Sequence, residues 1–426
     1  MFGFWLSRLT LPLLASWSPK PLSDAEEYPS LCLHSKTLER LAECLEEFIV
    51  PRGFYDRVSY NAAQPDTSQR AAWSNIISSL LHVDGNCSSI QVPASLKGLY
   101  DVVTFTENTG ASFCVFFELT ADCHAYRKGW GAMIVPARRE AVSRDVHISA
   151  PHPGFDVGTP AQAAYIFKAT GSKSFLMAGR TRTAFLNPSP CISTASLSGY
   201  YETDPAHNNV PFIQDFSYYL LIVLQGEPFF DASLAIYDWQ QRRGCPSSTP
   251  NISVSGTRNL KLTFSQGRSS TSKAWYIDSN DRPVKRLRGH LQLAFPLWNV
   301  SLPPDSSCAL TATRNVVGRY INGVDEHSVC HTDADPSDVS GEFIHVEQDD
   351  TSRGAKSYKL WAAAVRRTFG TICAEGMSVD PDTGLCAYSR PRGPAGDPIF
   401  DNVMFPGLSR GIRAQWLLWI PLLNPL

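Results

Sequence analysis

Between residues 36 and 50, Leu38, Leu41, Leu45, Phe48 and Ile49 recur at helical spacing, with Glu39, Arg40 and Glu46 on the other side. That spacing predicts an amphipathic helix. From residue 112 the pattern changes to short apolar runs, and residues 112–119, 132–135 and 146–150 read as strands. The next helix carries its own punctuation: Thr159 is placed to cap it, Pro160 takes the first helical position, Gln162 completes a capping box and Gly171 closes the end. Residues 174–178 form the following strand, so 146–178 spells strand–helix–strand, the unit of a parallel sheet. A helix-to-strand run follows at 211–225, and a strand at 342–348 leads into a helix near 355–368. Residues 60–100 and 240–285 are rich in Ser, Gly, Asn and Thr and read as loops or irregular strands.

The expected class is therefore α/β, a mostly parallel or mixed sheet sandwiched by helices, with irregular N- and C-terminal decorations. No internal repeat is visible, which sets solenoids and propellers aside. One domain is expected over residues 23–372 with its core at 112–370, preceded by a signal-like segment at 1–22 and followed by a Pro/Gly-rich tail at 373–426.

Composition narrows the function. The 38 Lys+Arg and 40 Asp+Glu leave a formal charge of −2, and only 18% of residues are charged. Such a chain offers no strong field for a polyanion, so nucleic acid is not an expected partner. At 43% hydrophobic residues the chain can bury a sizeable core. Eleven cysteines without any CxxC argue for disulfides rather than a zinc ribbon, and the odd count leaves at least one thiol outside any pair. Asn86, Asn251 and Asn299 head Asn-x-Ser triplets. Residues 1–18 have an apolar segment of secretory length, though Arg8 interrupts it and no basic lead precedes it. Together these cues point to an extracellular protein. No stretch reaches the ~18–20 apolar residues of a membrane span.

Three polar clusters sit where loops would meet the carboxyl ends of parallel strands. The first, Pro151-His152-Pro153-Gly154-Phe155-Asp156-Val157-Gly158-Thr159, holds an imidazole and a carboxylate close together, a usual start for a hydrolytic metal site. Helix capping by Asp156 and Thr159 is the plainer alternative. The second, Asp204-Pro205-Ala206-His207-Asn208-Asn209, reads as a ligand or polarising group or, more simply, as an Asx turn. In the third, 343–348, period two puts His345 and Glu347 on one face. Glu347 at the end of an apolar strand is a general-base candidate, against a salt bridge with Arg353. Arg180 and Arg182 follow a strand and offer bidentate recognition of a substrate carboxylate, or plain surface charge. No Gly-x-Ser-x-Gly elbow and no P-loop is present.

These clusters resemble a broad group of zinc-dependent amide hydrolases: zinc carboxypeptidases, N-formylglutamate amidohydrolases and poly-γ-glutamate hydrolases. The resemblance rests on His152, Asp156 and Gly158-Thr159, with Asp in place of the group's Glu. The longer run through Gln162-Ala163, Ala178-Gly179-Arg180 and Asp204, Ala206-His207-Asn208 is similar to uncharacterised microbial and fungal proteins of this kind. It implies zinc held by His152 and Asp156, with Glu347 as the base that activates water and Arg180 binding a substrate carboxylate. The group's further histidine has no counterpart in Leu224-Gln225-Gly226-Glu227, so His207 or Glu227 would take its place, His207 as third ligand or oxyanion donor. The implied activity is hydrolysis of an amide or ester in a small-molecule or peptide-like substrate. The alternative is an inactive secreted glycoprotein that uses the same scaffold for binding or structure.

Overall fold

A computed structural model describes residues 28–189, 191, 200–209, 227–242, 251–256, 261–263, 270–305 and 312–388. The expected run at 211–225 lies outside these. Along the chain come α1 (Leu38–Glu46), α2 (Arg57–Ala63) and α3 (Thr67–Leu80), then β1 (Tyr100–Thr106), β2 (Ser112–Glu118) and a small hairpin of β3 (Ala121–Asp122) and β4 (Ala125–Tyr126). Next are β5 (Ala132–Pro136), β6 (Arg144–Ala150), α4 (Thr159–Thr170), β7 (Ser172–Met177), α5 (Pro228–Arg242), β8 (Asn251–Gly256) and β9 (Lys261–Thr263). The chain continues through α6 (Ser270–Ile277), α7 (Pro283–Ala294), α8 (Val316–Ile321), β10 (Phe343–Gln348) and α9 (Tyr358–Thr368), ending with β11 (Met377–Val379) and β12 (Cys386–Tyr388).

The main sheet runs β1-β2-β5-β7-β6-β8-β10-β9. Its centre, β7-β6-β8-β10, is parallel, whereas β1, β2, β5 and β7 pair antiparallel and β9 pairs antiparallel with β10. The fold is thus a mixed α/β sheet flanked by helices. From β6 the chain steps through α4 to its neighbour β7 and afterwards re-enters the sheet on the other side of β6, at β8. Winding therefore reverses at β6, and in open α/β sheets the crevice at the carboxyl end of such a strand is where ligands bind.

Alternation explains the layers. Val146, Ile148 and Ala150 of β6, Phe175 and Met177 of β7, and Ile344 and Val346 of β10 pack with α1, α4, α7 and α9. The opposite parity of the same strands faces the other layer: Leu176 of β7 packs with α3 and α5, and Phe343 of β10 with α5 and α8. Each fully buried Leu, Ile or Phe contributes roughly 1.5–3 kcal/mol, so these two apolar faces hold the sheet between the helices.

Several local expectations are corrected. Residues 60–100 are not loop throughout, since α2 runs to Ala63 and α3 spans Thr67–Leu80, each opened by a capping box, Asp56 with Ser59 and Asp66 with Gln69. Residues 240–285 likewise include the end of α5, two strands and α6. In α4 the N-cap is Gly158, in the left-handed region at φ 84°, and not Thr159. Thr159 Oγ1 instead donates to the Asp156 carbonyl at 2.8 Å, and Gln162 Nε2 reaches the Ser352 carbonyl at 2.9 Å rather than closing a capping box. Gly171 ends the helix at φ 60°, as the pattern requires. Disulfides join Cys32–Cys44, Cys87–Cys114, Cys191–Cys330 and Cys373–Cys386, and among the described cysteines Cys123 is free and exposed.

Candidate metal centre

Chain leaving β6 turns sharply at His152. The Asp156 amide donates to the His152 carbonyl at 2.8 Å, which folds the carboxylate back over the ring. Gly154 makes this turn possible: it sits at φ 68°, and a Cβ there would lie 2.5 Å from Ile49 Cδ1. Its amide donates to Glu46 Oε1 at 2.9 Å, tying the turn to the end of α1. As a result His152 and Asp156 are 2% and 3% exposed, with His152 Nδ1 3.2 Å from Asp156 Oδ2.

The other half arrives on the loop 200–209. Asp204 and His207 belong to one turn, in which the Ala206 amide donates to Asp204 Oδ1 at 3.1 Å and the His207 amide to the Asp204 carbonyl at 3.1 Å. The Asx turn anticipated at this position is therefore present, and the same carboxylate does more. Asp204 Oδ1 lies 3.1 Å from His152 Nε2 and 3.0 Å from His207 Nδ1, while Oδ2 pairs with Arg182 Nη2 at 2.5 Å. The loop is braced by Arg57, which forks onto Glu202 at 2.7 and 2.8 Å, by the Val316 amide on the Ala206 carbonyl at 2.9 Å, and by the nearby Cys191–Cys330 bridge.

His152, Asp204 and His207 form a group whose ligand atoms all lie within 4.8 Å of one another. Two imidazole nitrogens and a carboxylate oxygen make a donor set zinc accepts, with three protein ligands leaving a position for water or substrate. Asp156 on the far nitrogen of His152 fits as well, because a ligating histidine commonly donates its other N–H to a carboxylate. The residues present thus fit a zinc ion. Asp156, expected as a ligand, faces the other ring nitrogen of His152, and the carboxylate grouped with the two imidazoles is that of Asp204.

Electrostatics separate the two histidines. Burial and the Arg182 charge push His152 down, but Asp204 and Asp156 outweigh them and raise it to about 9. His207 is lowered, since its burial outweighs the pull of Asp204. Burial would raise Asp204, yet Arg182 and both imidazoles hold it well below the ordinary carboxylate range.

The remaining expected residues lie apart from this group. Arg180 is 0% exposed and ion-paired with Glu227, whose own carboxyl is raised by burial despite that partner. The arginine at the site is Arg182, two residues on, its guanidinium 5.2 Å from the Phe155 ring centre and 5.7 Å from that of Tyr200. Glu227 is likewise engaged away from the group. Glu347 pairs with His345 at 2.8 Å, as the period-two reading anticipates, and Arg353 pairs with Asp350 instead. Register sets Ser149, Ser253 and His345 level across β6, β8 and β10, so Glu347 is level with Pro151 but two strands away, roughly 10 Å. Asp204 is the residue sequence reasoning undervalued; a signal existed in its position three residues before His207.

No protein-family model matches this chain, and no curated protein matches it. Among solved structures, it is similar to a "Putative carboxypeptidase A" from Shewanella denitrificans OS-217, at 10% identity and TM-score 0.27, covering 65% of this chain and 65% of that one. The chain thus spans just under two thirds of that protein. It is also similar to a "putative metallopeptidase" from Shewanella amazonensis SB2B, at 11% identity and TM-score 0.26, covering 72% of this chain and 92% of that one. Scores this low carry no weight for function.

Proposed function

We propose that the chain is a metal-dependent hydrolase of an amide or ester bond, with His152, Asp204 and His207 holding one zinc ion. The carrying observation is the convergence of those three donors, with Asp156 on the far nitrogen of His152. A zinc ion in such a site supplies Lewis acidity, polarising a carbonyl and making water acidic near neutral pH. Asp156 keeps the His152 ring oriented, with the Nδ1 proton shared toward its carboxylate. Arg182, its side chain 16% exposed, neutralises the second oxygen of Asp204 and is the cation available to negative charge developing on a substrate carbonyl. Glu347, paired with His345 two strands from the group and roughly 10 Å from it, is too far to take the proton of water held there and is left out of the proposed mechanism. The substrate class is a small-molecule or peptide-like amide or ester.

An extracellular setting belongs to this proposal. Four disulfides suit an oxidising compartment, and among the described residues no helix is long and apolar enough to cross a membrane. Asn86 and Asn299 are exposed and open to glycosylation, whereas Asn251 begins β8, which is paired on both edges.

A second reading draws on the charges. Asp156, Asp204, protonated His152 and Arg182 sum to zero, so the network is also complete as a purely structural ion cluster, the expectation for an inactive scaffold. Elemental analysis separates the two. The hydrolase requires about one zinc per chain, with loss of the metal in Asp204→Asn. A wild-type protein that neither carries zinc nor takes it up on dialysis leaves only the structural cluster.

A further inference from the structure

Three of the four bridges among the described cysteines close short segments, spanning 12, 27 and 13 residues. Cys191–Cys330 spans 139, and both of its ends meet the loop that carries Asp204 and His207. On one side the Cys191 amide donates to Ser189 Oγ at 3.2 Å, and that hydroxyl donates to Asn208 Oδ1 at 2.6 Å. On the other, Cys330 Sγ lies 3.3 Å from the Asn209 carbonyl, and Asn209 Nδ2 donates to the Glu326 carbonyl at 3.3 Å. The Cys330 side is itself fixed, because Nη1 of the buried Arg319 donates to the carbonyls of Val329 and Cys330 at 2.7 and 3.1 Å. The loop thus lies between two segments distant in the chain that one covalent bond holds together. Without that bond, keeping them together costs the closure entropy of a long loop. His152 sits on the turn after β6, whereas Asp204 and His207 ride on this loop, so a small displacement of the loop separates the three donors. Zinc tolerates only about 0.2 Å of error in its ligand distances.

We propose that this bridge gates the metal centre: His152, Asp204 and His207 converge only after Cys191 and Cys330 have been oxidised to a disulfide. The metal side of this proposal rests on the zinc reading above. The oxidant is a protein disulfide of the thiol-exchange type. Each cysteine loses its proton, the new S–S bond forms through a mixed disulfide, and the donor's disulfide takes up the two electrons and both protons as a dithiol. With Cys191 and Cys330 only 2% and 7% exposed, the finished bridge is shielded from attacking thiolates. The centre is therefore switched on once, in an oxidising compartment, and not toggled.

The test combines native-state hydrogen exchange on the zinc-free full chain with zinc competition against a chromophoric chelator. It compares wild type, Cys191→Ala/Cys330→Ala and, as control, Cys373→Ala/Cys386→Ala. In the first double variant the Ala206 and His207 amides, both bonded to Asp204, should exchange at least about tenfold faster while those of β7 keep their rates. Zinc should bind that variant at least about tenfold more weakly, and the control should match wild type in both respects. The proposal is overturned if the loop amides keep their wild-type rates, if β7 accelerates as much as the loop, or if the control loosens the loop equally. It is overturned too if a zinc-binding wild type holds the ion no more tightly than the first variant. A wild type that takes up no zinc removes the zinc site alone, and the exchange rates then decide the gating without it. Should the first variant not fold, folded wild type reduced by a phosphine replaces it. The loop must then loosen with alkylation of Cys191 and Cys330, and loosening that follows Cys373 and Cys386 instead overturns the proposal.

Discussion

His147 lies inside β6 and His152 just beyond its end; both are 2% exposed, yet they are held in opposite charge states. Among the described residues, His147 hydrogen-bonds to a single hydroxyl, Ser174 Oγ at 2.6 Å, and the Trp239 ring stands edge-on at 5.7 Å. Burial, helped by the Lys173 charge, pushes it down to about 3. Around His152 a carboxylate faces each ring nitrogen, and the imidazole is raised to about 9 despite the same burial. The comparison teaches that burial alone does not decide what a buried histidine is for. Its partners do, and only the second environment has carboxylates placed to hold a cation, whether proton or metal.

The sharpest way to break this contrast is acid. An unfolded histidine takes up its proton near 6.5, whereas His147 in the folded chain stays neutral until about 3. Between these values the unfolded state binds more protons, so stability falls as pH drops, by up to roughly 4–5 kcal/mol for this one group. Glu118, raised to about 7 by burial, acts the other way between 7 and 4.5. The measurement is therefore the difference between wild type and His147→Gln in urea denaturation from pH 7 to 4: the variant should lose less. Equal slopes would mean that His147 is not held neutral.

Next comes removal of one partner. Asp204→Asn leaves His152 and Arg182 facing each other without their shared carboxylate and should cost about 3–5 kcal/mol, as breaking a buried ion pair does. A loss under about 1 kcal/mol in thermal denaturation would show the cluster to be weakly coupled.

Base should sharpen the same comparison. In zinc-free protein, His152 contributes stability that is complete below 6.5 and is lost as pH rises through about 9, on the order of 3 kcal/mol. Bound zinc should remove that alkaline loss, because the ion takes the place of the proton. A smaller effect is expected for Asp156→Asn, which keeps the fold and lowers zinc affinity about 10–100-fold by freeing the His152 ring. Competition with a chromophoric chelator measures it, and unchanged affinity would remove Asp156 from the site. Smallest is Gly154→Ala, at about 1–3 kcal/mol, from strain at φ 68° and the clash with Ile49.

Legibility followed sequence separation. The helix at α1 and the unit β6-α4-β7 were readable because apolar spacing, Pro160 and Gly171 act within a few residues of where they stand. Within 60–100, whose Ser, Gly, Asn and Thr content suggests loop, α3 forms because Trp73, Ile76, Ile77 and Leu80 keep helical spacing behind the capping pair Asp66 and Gln69. In the site, His152 and Asp156 were legible as a pair four residues apart. That Asp156 stands behind His152, rather than beside it as a second ligand, depends on which ring nitrogen it faces.

What the sequence determined by itself was the local hardware: a strand, a glycine-shaped turn with an imidazole and a carboxylate, a helix with its stop, and a separate Asx turn ending in His207. Tertiary structure alone decided which of these groups meet. Asp204 reaches His152 across 52 residues because the loop that carries it is braced by Arg57, by the amide of Val316 and by a disulfide. The same packing buried Arg180 against Glu227 and left Arg182 at the cluster. Electrostatic coupling falls with distance in space and not along the chain, so the charge of a histidine cannot be read until its neighbours are in place.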